Sequence, residues 1–157
     1  MEQSRKLNES IPLVLAEEII LKLNSLKKNV AETKFFIIGF AFKGNPETSD
    51  MRGSTTLDLL ESLRNKQVNN KYIFGYDPVI DSKEIESLDI MHSNLEEGFN
   101  NADVVVVMNN HHSHKKIDIF SLLKTAKKDV IFVDGWHMFN PKDITQGNNI
   151  NYIGVGC

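Results

Sequence analysis

The run Val104-Val105-Val106-Val107 has no polar residue on either face. Side chains of a strand alternate sides, so this segment must be covered by apolar groups above and below. The middle of a parallel sheet meets that demand, because crossover helices lie on both faces. Further β-rich apolar runs occur at residues 35–42, 72–76 and 130–134, with weaker ones near 88–92 and 150–155. Helical periodicity separates them at 55–66 and 117–127, and over a shorter stretch at 94–101. Strand, crossover helix and strand in alternation predict an α/β fold, doubly wound on a mostly parallel sheet. A chain of 157 residues accommodates one such domain with a sizeable core.

Residues 1–28 precede this pattern and read as one helix or a kinked pair, with Pro12 at the kink or in the first turn of a segment beginning near Ser10. Leu7, Ile11, Val14, Leu15, Ile19, Leu23 and Leu26 recur three or four apart and form one apolar stripe. The stripe either folds back on the domain or pairs with another chain. Because crossover helices already cover the sheet, the expectation is symmetric pairing into a homodimer. A net charge of −3 gives no reason to expect nucleic acid or an anionic membrane as partner. No apolar run approaches the roughly 20 residues of a membrane span, and the N-terminus lacks a signal-peptide core. The single cysteine, Cys157, excludes an internal disulfide, and a reducing, cytoplasmic setting is expected.

Ligands of doubly wound sheets bind beyond the carboxyl ends of the strands. Four polar or aromatic stretches follow apolar runs and are the site candidates: "AFKGNPETSDMRGS", "GYDPV", "MNNHHSH" and "DGWHMFNP". Gly39-x4-Gly44 is followed by Asn45 and Pro46 where a phosphate loop needs Lys and Ser or Thr, and it lacks dinucleotide glycine spacing. His111, His112 and His114 are neighbours pointing different ways among lysines, so they read as a polar loop and no metal is expected. Lys43, Arg52 and a helix start near Ser54 suit an anion such as a phosphate, carboxylate or nucleotide. Equally, Arg52 could pair with Asp50 or Glu47 merely to fix the turn.

Taken in order, these stretches resemble the C-terminal domain of the UDP-glucose/GDP-mannose dehydrogenase family. "GFAFKGNPETSDMRGSTTLDLLESL" is similar to its G-x-A-F-K…D-x-R-x-S opening, and "GYDPVI" to its Y-D-P turn. "NADVVVVMNNHHSH", "VIFVDGWHMFNP" and "YIGVG" resemble its A-D-x-x-V strand, V-x-D-G segment and closing strand, and "LNESIP" the N-x-S-x-P of its connecting helix. The resemblance implies a connecting, dimerising helix over 1–30 and a UDP-sugar-binding, Rossmann-like domain over 31–157. It further implies a parent enzyme that oxidises the C6 alcohol of a nucleotide sugar to a carboxylate with NAD. The parent's NAD-binding half and its catalytic cysteine are not in this sequence, so no catalytic residue is assigned here. By resemblance, Phe42 and Lys43 meet the sugar nucleotide, and Arg52 reaches toward NAD. Many members carry arginine after the D-G pair; Trp136 stands there instead, and its ring could stack on a base or sugar. A stand-alone nucleotide-binding or regulatory module is the alternative. A phosphoacceptor receiver domain is rejected, since the first strand ends in lysine and not an acidic pair.

Overall fold

The computed structural model describes residues 2–40, 55–108, 118–135, 139–140, 142, 144 and 150–154, and side chains from residue 12 onward except that of Phe120. Six strands, β1 (Phe35–Ile38), β2 (Ile73–Tyr76), β3 (Met91–His92), β4 (Val104–Val107), β5 (Ile131–Asp134) and β6 (Asn151–Gly154), form one sheet in the order β3-β2-β1-β4-β5-β6. Every pairing is parallel. At the centre Phe35 aligns with Val104 and Ile38 with Val107. The helices are α1 (Glu2–Ser25), α2 (Thr55–Asn65), α3 (Ser82–Glu86), α4 (Leu95–Phe99) and α5 (Ile119–Leu123). The strand and helix positions follow the sequence reading closely, with α3 added.

Alternation sends the central strands into two separate cores. Phe35, Ile37, Val104, Val106, Ile131 and Val133 face one side, packed with Leu59, Leu60 and Leu63 of α2. Phe36, Ile38, Val105, Val107 and Phe132 face the other, with Phe99 of α4 and Ile119 and Leu123 of α5. On that second side Gly98 is obligatory, because a Cβ there would strike the Phe36 ring.

The N-terminal stripe has a place in its own domain, contrary to the reasoning that the crossover helices leave it none. One continuous helix contains Pro12, and Leu15, Ala16, Ile19 and Leu23 are buried in the first core beside α2. Crossover helices therefore leave room on that face for a further helix. Val14 is exposed instead, together with Leu13 and Leu21, while Leu7 and Ile11 have side chains outside those described. Among the described residues, no helix is long and apolar enough to cross a membrane.

A buried carboxylate fastens the end of α1 to the sheet. Asp103, at the entrance to β4, lies 3.1 Å from Lys28 Nζ, which also reaches the Lys128 carbonyl at 3.4 Å. Its other oxygen accepts from the Lys34 amide at 2.9 Å and from Lys127 Nζ at 3.3 Å. Burial alone would push its pKa up, but the Lys34 amide and the two lysines outweigh this and hold it below the ordinary aspartate range. Nearby, Lys34 Nζ closes α4 through the carbonyls of Glu97 and Asn100, and burial and Lys127 lower its pKa.

Asp103→Ala should cost ~1–3 kcal/mol at neutral pH, because the partly buried Lys34 amide and Lys28 lose a charged acceptor. The folded-state pKa is depressed, so this contribution is complete above the unfolded value of about 4 and is lost as pH falls through the folded value. Urea titrations should therefore show the gap between wild type and variant narrowing on acidification below about pH 4.

Candidate functional site

Winding reverses between β1 and β4: β2 and β3 lie to one side, β5 and β6 to the other. Loops leaving adjacent strands at such a point diverge, and a crevice opens at the carboxyl end. The described rim of this crevice is built from backbone held by buried polar side chains.

On the β1 side the chain turns at Gly39, whose φ of 96° is strained for other residues. Its amide donates to Tyr76 O at 2.9 Å and its carbonyl accepts from the Thr56 hydroxyl at 2.6 Å. The next amide, Phe40, donates to Asp77 Oδ2 at 2.7 Å, while Asp77 Oδ1 accepts from Val79 at 2.8 Å and Ile80 at 3.1 Å. One buried carboxylate thus shapes its own turn and holds the exit of β1. The Phe40 ring lies over Gly75, where a Cβ would come within 2.7 Å of it. Burial, then the Asp77 charge, pushes the neighbouring Tyr76 phenol up.

On the β4 side, Met108 N donates to Ile38 O and Gly135 N to Val107 O, both at 2.8 Å. Asp134, the last residue of β5, is fully buried. Its Oδ2 accepts from the Phe139 amide at 2.8 Å and the Tyr152 hydroxyl at 3.0 Å. Phe132 packs edge-on to Phe139 and stacks with Tyr152, at 5.6 and 6.2 Å between ring centres. Asp118 leads into α5, and its bonds to the Ser121 hydroxyl and amide hold its pKa below the ordinary range.

Phe42, Lys43, Arg52 and Trp136 lie outside the described residues, as do His111, His112, His114 and His137. What the structure brings together is the set of anchors beside them. Phe40 is two residues before Phe42, α2 begins three residues after Arg52, and Gly135 adjoins Trp136. The loop-holding bonds of Thr56, Asp77, Asp134 and Tyr152 were not read from the sequence, although three of these residues sit in the quoted Y-D-P, V-x-D-G and closing-strand motifs. Among the described residues, no group of three or more His, Cys, Asp or Glu could hold a metal.

The UDP binding domain of the UDP-glucose/GDP-mannose dehydrogenase family matches residues 36–141. The chain belongs to this family. The match runs from β1 through β5 and so includes both carboxylate anchors of the crevice. A UDP-N-acetyl-D-mannosamine dehydrogenase of Methanococcus vannielii is 31% identical over 134 residues, 83% of this chain and 29% of that protein. Among solved structures, a UDP-D-ManNAc dehydrogenase from Pyrococcus horikoshii superposes with a TM-score of 0.74 at 25% identity, over 95% of this chain and 32% of the other. An NDP-N-acetyl-D-galactosaminuronic acid dehydrogenase from Methanosarcina mazei shares the fold with a TM-score of 0.77 at 22% identity, over 98% and 31%. The family chain described here thus spans less than a third of the length of these relatives.

Asp77→Asn in this UDP binding domain tests the first anchor. The amide would turn an N–H donor toward a backbone N–H, at a cost of ~1–3 kcal/mol for the buried donor left unpaired. A lowered denaturation midpoint with unchanged slope is the expected result.

Proposed function

We propose that this chain is the UDP-sugar-binding part of an NAD-dependent nucleotide-sugar 6-dehydrogenase, which oxidises a sugar C6 alcohol to a carboxylate and yields a UDP-uronic acid. The observation that carries the reading is that the match to a UDP binding domain falls on the strands whose carboxyl ends frame the crevice. Two relatives named for UDP-N-acetyl-D-mannosamine favour an N-acetylated amino sugar as the substrate class. Lys43 supplies charge to the nucleotide diphosphate, Phe42 contacts the sugar nucleotide, and Trp136 stacks on base or sugar.

Dinucleotide folds keep the turn after the first strand glycine-rich so that backbone can approach the pyrophosphate. After β1 the glycines of this sequence lack that spacing, which favours a reading in which NAD is held mainly elsewhere in the parent enzyme. The cofactor and the catalytic cysteine then belong to a further half of the parent enzyme, toward which Arg52 reaches. In the reading proposed, residues 1–30 connect the halves and 31–157 form the UDP-sugar domain of a cytoplasmic homodimer. Exposed Leu13, Val14 and Leu21 on α1 are available to that pairing. Leu21 also lines a groove of about 520 Å³ against Ile150, Tyr152 and Ile153.

Calorimetry on the isolated chain should detect UDP binding and none for NAD, and the chain should form no NADH from UDP-sugars, since it lacks the internal nucleophile of covalent catalysis. Binding of NAD with no binding of UDP would sink the assignment. In the full-length parent, Lys43→Ala should weaken UDP-sugar binding by roughly ten- to a hundredfold, the worth of one charged hydrogen bond. Arg52→Ala should chiefly raise the requirement for NAD. Equal, negligible effects of both changes would mean that these cations only hold their loop.

A further inference from the structure

We propose that Tyr76, the last residue of β2, is a ligand-binding residue whose hydroxyl pairs with the ribose hydroxyls of a nucleotide in the crevice. Of the three tyrosines, Tyr152 donates its hydroxyl to Asp134 at 3.0 Å, and Tyr72 is exposed to water. Tyr76 has neither arrangement. Its side chain is half-buried and packs against the second core, yet among the described residues its hydroxyl has no hydrogen-bond partner. A phenol withdrawn from water ordinarily finds a partner, and one left without a protein partner is open to a ligand. Burial, then the Asp77 charge, keeps the proton on the oxygen. The group therefore both donates and accepts, as pairing with a sugar hydroxyl requires.

The sheet puts this residue at the right edge of the molecule. Tyr76 aligns with Ile38, and Ile38 with Val107, so β2, β1 and β4 end in one row where the winding reverses. All three side chains belong to the second face, and Tyr76 stands one strand spacing, ~4.8 Å, from β1. Its backbone is fixed there, because its carbonyl accepts from the Gly39 amide at 2.9 Å. In dinucleotide-binding sheets a carboxylate beyond the first turn bonds the ribose. Here the carboxylate at the end of β2 is Asp77, which is buried and already accepts the amides of Phe40, Val79 and Ile80. With Asp77 committed to the backbone, the neighbouring phenol is the group left to meet a sugar hydroxyl. This role rests on the nucleotide-sugar reading.

Tyr76→Phe keeps the ring and removes only the hydroxyl. Because that oxygen has no partner in the described protein, the urea midpoint of the variant should equal or exceed that of wild type. Calorimetry should nevertheless show its Kd for UDP raised roughly two- to tenfold, the loss of one neutral hydrogen bond. With 2′,3′-dideoxyuridine diphosphate, which lacks both ribose hydroxyls, variant and wild type should bind alike. Equal affinity of both proteins for UDP would overturn the proposal. So would the same loss on the dideoxy compound, since the hydroxyl would then meet another part of the ligand. A lowered midpoint would also overturn it, by showing that the hydroxyl holds the fold. If the wild-type chain binds no UDP, the nucleotide-sugar reading fails and the role of Tyr76 fails with it. If UDP binds and Tyr76→Phe changes nothing, only the role of Tyr76 fails.

Discussion

The parallel pairing of β1 with β4 is the constraint on which the rest depends. All eight residues of these two strands are fully buried, Phe35 to Ile38 against Val104 to Val107. A pair covered on both faces has only its ends open to ligand, and only one end is where the winding reverses. The crevice exists because two rigid strands lie side by side and release their loops in opposite directions. The segments that follow those strand ends are the ones the sequence marks as site candidates.

Buried carboxylates convert that platform into fixed loops. Asp103 acts at the amino end, tying α1 to β4 through Lys28. Asp77 and Asp134 act at the carboxyl end, where Asp77 accepts the Phe40, Val79 and Ile80 amides and Asp134 the Phe139 amide and the Tyr152 hydroxyl. A carboxylate suits the task because its two oxygens accept several N–H groups at once, and such charged bonds are stronger than neutral ones. The cost of desolvation is thereby offset locally. These anchors hold the strand exits that precede Phe42 and Trp136 in the chain, so the bonds that stabilise the fold also fix where the candidate segments begin.

Much of the sheet was legible in advance because its strands are continuous apolar runs. The run at 35–42 overstated β1, which ends at Ile38, since Gly39 turns the chain at positive φ. Helix α3 passed unnoticed because it is five residues long, capped by Asp81, with Ile85 its one buried side chain. The stripe of α1 was read correctly as apolar and wrongly as unaccommodated by its own domain. Periodicity names an apolar face without saying what covers it, and α2 and the first core cover Leu15, Ile19 and Leu23. Asp77 and Asp134 lay in the quoted Y-D-P turn and V-x-D-G segment, but neither motif says whether its carboxylate is buried.

By itself the sequence determined the doubly wound class, the positions of strands and the family, all of which rest on patterns local in the chain or ordered along it. Only the tertiary structure decided that α1 lies against its own domain and that Asp77, Asp103 and Asp134 are anchors. Those roles arise between residues far apart: Phe40 with Asp77, Lys34 and Lys28 with Asp103, separated by 37, 69 and 75 positions. Whether a carboxylate is solvated or buried against such a partner is a property of packing, and no local pattern of residue types encodes it.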